Sequence, residues 1–174
     1  MWTTLDSPAG QIRVIAQDGA LTAVEFLSAP PDDASPRSSM RTAAERSAAR
    51  AVGERVDDDP LLLEAARQLR AYFDRELKEF DLPLRPAGTP FQQRVWEQLQ
   101  RIGYGETASY GEIAGRLGMS PGASRAVGAA NGRNPIGIVI PCHRVVGSKG
   151  LLSGYAGGVE RKQLLLGLER DGLF

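Results

Sequence analysis

Hydrophobic and polar positions along this chain change their period at least twice. Over TTLDSPAGQIRVIAQDGALTAVEFL, residues 3–27, short apolar runs alternate with the turn signals SPAG and DG, which predicts a small antiparallel meander. Over PLLLEAARQLRAYFDRELKEF the spacing becomes helical: Leu62, Ala65, Ala66, Leu69, Tyr72 and Phe73 share one face, with Pro60 ahead of the first turn. That face predicts a core helix. Residues 28–60 between them are rich in Pro, Asp, Ser, Ala and Arg and read as a short helix or a mobile excursion with no chemistry attached. The Pro/Gly-rich DLPLRPAGTP is the candidate boundary between residues 1–88 and 89–174.

Past that boundary the pattern is of short helices. Thr89 is placed to cap a helix with Pro90 at its first position and Phe91, Val95, Trp96 and Leu99 as its buried stripe. Ser109 stands three residues before Glu112, a capping box, and Gly118 marks the stop. A turn at MSPG precedes SPGASRAVGAANG, which restarts a helix. Two short helices across a tight turn have the shape of a helix-turn-helix, although αα-hairpins also serve structure alone. The second helix is made of small residues, leaving Arg125 and Arg133 as its long polar projections. Close helix packing explains such a surface, and so does insertion into a groove with Arg125 as the probe. The whole pattern is α+β: an antiparallel sheet with a helix, then a mainly helical part.

Composition narrows the classes. With 42% hydrophobic and 24% charged residues the chain can bury a sizeable core. No run approaches the roughly 18 apolar residues of a membrane span, and MWTTLDSPAG lacks the basic and apolar regions of a secretory signal. A single cysteine closes no intramolecular disulfide, which points to a reducing compartment such as the cytoplasm. One cysteine and one histidine also make a poor zinc set, so no metal is expected. The net charge of zero conceals an asymmetry: residues 1–88 carry 11 Lys/Arg against 15 Asp/Glu, and residues 89–174 carry 10 against 6. The basic excess is modest.

That basic half holds the sole cysteine and the sole histidine side by side, in IPCHRVVG. GRNPIGIVIPCHRVVG opens with a turn at Arg133-Asn134-Pro135, and IGIVI predicts a buried strand ending at a pocket. A lone buried cysteine is commonly just a small hydrophobe. Cationic His143 and Arg144 beside it would raise the thiolate share of a group whose free pKa is about 8.5. Neighbours on a strand point to opposite faces, so Cys142 and His143 cooperate only if the chain turns after Pro141 or a water bridges them. A base also needs a third group to fix its ring. The last helix, VERKQLLLGLERDG, offers Glu160, Glu169 and Asp171, and spacing does not choose among them.

PCHRV, preceded by RNP and followed by GYAGG, resembles the active-site signature of the O6-alkylguanine-DNA alkyltransferases. The likeness runs from about Phe91 to Glu169 through FQQRVWEQLQRIGYGETASYGEIA, SRAVG, NGRNP, IPCHRVV and ERKQLLLGLE, and covers the first half only in outline. It implies a ribonuclease-H-like α/β structural domain over residues 1–88. Over 89–174 it implies a winged-helix-like DNA-binding and alkyl-acceptor domain. By the same resemblance Cys142 is the alkyl acceptor, His143 its base through a water, and Glu169 the carboxylate behind the imidazole. Asn134 ties the turn to the active-site strand, and Tyr110 assists departure of the base at guanine N3. Arg125 enters the base stack from a DNA-binding helix that includes Ser124, Ala126 and Gly128. Backbone groups of Cys142, Val145 and Ala156 read the guanine edge, with Tyr155 packed beside it.

The implied activity is a single, irreversible alkyl transfer from O6-alkylguanine in duplex DNA, with O4-alkylthymine as a further substrate. It needs no cofactor, no metal and no obligate protein partner, and a monomer suffices. Position 156 is Ala where many members have Ser, which removes a hydroxyl from the guanine oxygen. Two other classes compete: a damage sensor that binds without repairing, and a Cys-His-Glu hydrolase that turns over.

Overall fold

The computed structural model describes residues 1–27, 53–150, 155 and 157–171. The Ala/Arg stretch expected as a helix or excursion within residues 28–60 falls mostly outside them, and so does Ala156. The meander forms as predicted: β1 (Trp2–Leu5), β2 (Ile12–Gln17) and β3 (Ala20–Phe26) make an antiparallel sheet in that order. Asp18 and Gly19 join β2 to β3 with φ of 48° and 78°. Both left-handed values suit a two-residue hairpin, and Asp-Gly supplies them cheaply.

Helix α1 (Pro60–Phe73) lies on this sheet and buries all six residues of its expected face. Asp59 caps it by accepting from the Leu62 N–H at 3.0 Å. It stops at Phe73, where Arg75 takes φ 63° and the N–H groups of residues 74–77 fold back on carbonyls of residues 70–72. The Pro/Gly-rich connection is not slack. Leu21 and Arg85 exchange backbone hydrogen bonds around it, Leu21 N–H to Pro83 O and Arg85 N–H to Leu21 O, both at 2.8 Å.

In the second half α2 (Pro90–Leu99) carries the Thr89 cap, with Gln92 completing a box. Val95, Trp96 and Leu99 are buried, while Phe91 is only half-buried because it sits in the first turn at the rim of the core. The capping box predicted at Ser109 and Glu112 opens α3 (Tyr110–Arg116), and Gly118 takes φ 72° just past its end. A 3-10 turn at Pro121–Ala123 leads into α4 (Ser124–Gly132), completing the helix-turn-helix. Trp96 Nε1 donates to Ala130 O at 2.9 Å, locking α2 to α4. A short parallel pair, β4 (Ala108–Ser109) with β5 (Val145–Val146), adds the strand element, and α5 (Val159–Asp171) closes the chain.

The expected strand over IGIVI is absent. Ile136 makes an isolated bridge to Val24, after which the chain curls: Val139 N–H bonds Gly137 O, Ile140 N–H bonds Ile136 O, and Ile138 takes φ 69°. The run is apolar because it is buried, not because it is extended. Asn134 dictates the curl, donating from Nδ2 to Ile140 O at 2.8 Å and accepting the Ile136 N–H at 3.0 Å.

Candidate active site

The curl delivers Cys142, His143 and Arg144 as a 3-10 turn, all buried. The chain therefore turns directly after Pro141, which meets the condition for neighbours in sequence to act together. Of the three carboxylates on the last helix, Glu160 is exposed at its start and Glu169 is fully buried. Glu169 follows Lys162 and Leu165 at helical spacing on the inward face of α5. His143 Nε2 lies 2.7 Å from Glu169 Oε1, so Glu169 is the carboxylate that meets the imidazole next to Cys142.

Burial sets the protonation states. His143 is pushed below its usual value first by desolvation, which outweighs the opposing pull of Glu169. A neutral ring that donates its Nε2 proton to Glu169 keeps Nδ1 as an acceptor. That Nδ1 is buried and has no hydrogen-bond partner among the described residues. Desolvation also raises the Cys142 thiol, against the contrary effects of an Asn134 hydrogen bond, the Lys162 charge and the backbone N–H groups of Cys142 and His143. Burial therefore outweighs the gain in thiolate share expected from adjacent cations. His143 is uncharged, and Arg144 turns away to Glu169 and to Ile102 O, the latter at 2.6 Å. The resting pair is thiol and imidazole.

Glu169 stays ionised. Desolvation acts to raise it, but hydrogen bonds from His143 and Arg144 prevail and hold it at about 2. With His143 neutral, Arg144 is the counter-charge: its Nε and Nη2 reach the two carboxylate oxygens at 2.9–3.2 Å.

The other expected residues fall around this centre. Tyr110 begins α3, half-buried, with its phenol raised by burial and by Cys142. Gly128 packs on its ring, where an added Cβ would lie 3.7 Å away. Tyr155 is half-buried, and its phenol is raised well above the usual value by burial and then by Cys142. Gly157 is required beside it, since a Cβ there would come within 2.8 Å of the Tyr155 ring. Val145 is buried in β5, and its N–H is taken by Cys142 O. Arg125 and Ala126 are exposed on α4, whereas the Ser124 hydroxyl is engaged by Pro121 O at 2.7 Å.

Four residues at the site have roles that the sequence does not announce. Arg144 reads in sequence as a cation near sulfur and in the structure is the counter-charge of Glu169. Asn131 is buried and donates from Nδ2 to Cys142 O at 3.3 Å. Lys162 is fully buried, with Nζ 5.9 Å from the Tyr110 ring. Tyr72 reaches Glu169 from the first half of the chain. A lysine and a glutamate on the apolar face of the last helix were the available signal; Tyr72 looked like any core aromatic.

Comparison with known proteins agrees with this geometry. Residues 90–171 match the family described as 6-O-methylguanine DNA methyltransferase, DNA binding domain, and residues 1–86 match its ribonuclease-like domain. A methylated-DNA–protein-cysteine methyltransferase of Mycolicibacterium paratuberculosis is 47% identical over 97% of this chain and 92% of its own length. The crystal structure of Mycobacterium tuberculosis O6-methylguanine methyltransferase has a TM-score of 0.80 at 43% identity, covering 99% of this chain and 94% of that one. A crystal structure of Mycobacterium tuberculosis OGT in complex with DNA has a TM-score of 0.79 at 44% identity, covering 98% and 93%. Both halves match, and the relatives align over nearly their full lengths: the chain belongs to the 6-O-methylguanine DNA methyltransferase family.

Proposed function

We infer that this protein repairs DNA by moving the alkyl group of O6-alkylguanine irreversibly onto Cys142. The observation that carries the reading is that one buried turn holds the only cysteine beside the only histidine, whose ring meets a buried, ionised glutamate of the last helix, in a chain of this family. The thiol S–H bond breaks and its proton passes to His143 Nδ1 through a water. Sγ then forms a bond to the alkyl carbon as the C–O6 bond breaks. Tyr110, whose raised phenol keeps its proton, donates to guanine N3, so the departing base leaves neutral, and the His143 proton returns to Tyr110 through solvent. The thioether has no activated bond for water to cleave, so each molecule acts once.

The target carbon lies inside the duplex, so the nucleotide must rotate out at a cost of about a few kcal/mol in stacking and pairing. Exposed Arg125, on a helix flanked by small Ala126 and Gly128, is assigned to fill the gap, with Ser124 shaping that helix start. Residues 1–88 act as the structural domain and 89–174 as the binding and acceptor domain. Backbone groups of Cys142, Val145 and Ala156 read the flipped base, and Tyr155 packs beside it. The protein works as a monomer on double-stranded DNA, without a cofactor or a protein partner. A thiol that must stay reduced suits the cytoplasm. Among the described residues no helix is long and apolar enough to cross a membrane.

The reading is tested with a duplex carrying one methyl-labelled O6-methylguanine. Label recovered on the peptide containing Cys142, and lost in Cys142→Ser, supports it; label on another residue or in solution as methanol overturns it.

A further inference from the structure

Glu169 has a donor that belongs to neither the acceptor turn nor the last helix. Tyr72, in the last turn of α1, is fully buried and places its hydroxyl 2.7 Å from Glu169 Oε1, across 97 positions of sequence. That oxygen is the one that faces His143. Arg144 contacts both carboxylate oxygens, and the Gly105 N–H reaches Oε2 at 3.3 Å, so neither singles out Oε1. Tyr72 contacts Oε1 alone. Its ring is wedged edge-on by Phe73 and Tyr104, with centroids 5.4 and 6.2 Å away, and by Phe80 at 5.5 Å. A hydroxyl on so confined a ring cannot follow the carboxylate if it tilts. Burial, followed by the Glu169 charge, raises the Tyr72 phenol far above its usual value, so it remains a donor wherever the protein is folded.

We propose that Tyr72 is a positioning residue of the acceptor site, delivered from the first half of the chain, whose hydroxyl holds Glu169 Oε1 on His143 and shares that oxygen's charge. The imidazole then rests neutral with Nδ1 available for the thiol proton. The groups facing this cluster are Arg144, Tyr104 and Arg75 beside the phenols, and Lys162, Cys142 and Tyr155 on the side of the thiol. The consequence for repair rests on the alkyl-transfer reading; the consequence for His143 does not.

Tyr72→Phe removes the hydroxyl and keeps the ring. Tyr104→Phe is the matched control, because the Tyr104 hydroxyl is buried in the same cluster without a hydrogen-bond partner among the described residues. The chain has a single histidine, so every imidazole 15N resonance belongs to His143. In Tyr72→Phe the His143 titration midpoint moves upward, since Glu169 loses one donor and leans more on the ring. The acid limb of Cys142 alkylation by iodoacetamide moves upward with it. Transfer from duplex O6-methylguanine at neutral pH falls roughly tenfold through lost alignment. Tyr104→Phe matches the wild type in all three.

Unchanged His143 resonances in folded Tyr72→Phe overturn the proposal, as does a loss of transfer that follows melting temperature alone with the acid limb in place. If Tyr72→Phe does not fold, the wild-type spectrum decides: the Tyr72 hydroxyl proton, held on a carboxylate, gives a slowly exchanging downfield resonance, and its absence is equally fatal. A wild-type protein that takes no methyl group while His143 still responds to Tyr72 sinks the repair reading and supports the positioning role.

Discussion

Cys142 and His143 are displaced in opposite senses by one cause. Burial raises the thiol and lowers the imidazole, so both rest uncharged, while Glu169 beneath them keeps its charge through Arg144. Stability should then depend on pH with a definite sign. Glu169, at about 2 when folded against an ordinary 4.5, stabilises fully above 4.5, and that contribution is lost as pH falls toward 2. His143, lower in the folded state than its usual 6.5, adds a loss as pH falls below 6.5, because only the unfolded chain then binds the proton. Urea unfolding across pH 7 to 2 should show both, with the Glu169 part on the order of 3 kcal/mol. Glu169→Gln should lose the lower window and lower Cys142 reactivity while DNA binding persists. A wild-type curve flat below pH 6.5 would refute the assigned charges.

Elements place these residues through their ends and turns. The Asn134 side chain satisfies a carbonyl and an N–H of the curl that carries Cys142, so Asn134→Ala should cost about 1–3 kcal/mol in unfolding free energy and slow transfer. Stability equal to the wild type would show the curl to be held elsewhere. On α4 Arg125 is exposed, and the proposed role for it, filling the gap left by an extruded nucleotide, matters only where a base must leave a stack. Arg125→Ala should therefore slow repair in duplex DNA by roughly tenfold or more and leave reaction with free O6-methylguanine untouched. Equal losses on both substrates would remove it from extrusion. The ends of elements were legible in sequence because caps are local: Asp-Gly between β2 and β3, Thr89-Pro90, Ser109 with Glu112, and Gly118 all act within a few residues. IGIVI was not, since burial makes a curled segment as apolar as a strand. The breakers Asn134, Pro135 and Gly137 were the better guide.

Across the whole molecule the two halves share one core. Val24 in β3 exchanges backbone hydrogen bonds with Pro135 and Gly137, Arg161 donates to Ala9 O at 2.8 Å and covers the Phe26 ring at 4.3 Å, and Tyr72 ends on Glu169. None of these contacts has a local signal, because each joins segments 97 or more positions apart; family likeness pointed to Glu169 as the partner of His143 and left its support invisible. One core predicts one transition. Trp2 and Trp96 report on separate halves, so Trp2→Phe and Trp96→Phe proteins should each show fluorescence and far-UV circular dichroism with coincident urea midpoints. Separate midpoints within either protein would mean that the halves unfold independently.

The central claim is that Cys142 accepts one alkyl group and is then spent. Incubating the protein with a large excess of O6-methylguanine duplex and counting lesions removed against intact-protein mass measures this directly. Repair is expected to stop when every chain has gained one methyl group. Continued repair beyond that point, or lesions removed with no gain in mass, would contradict it.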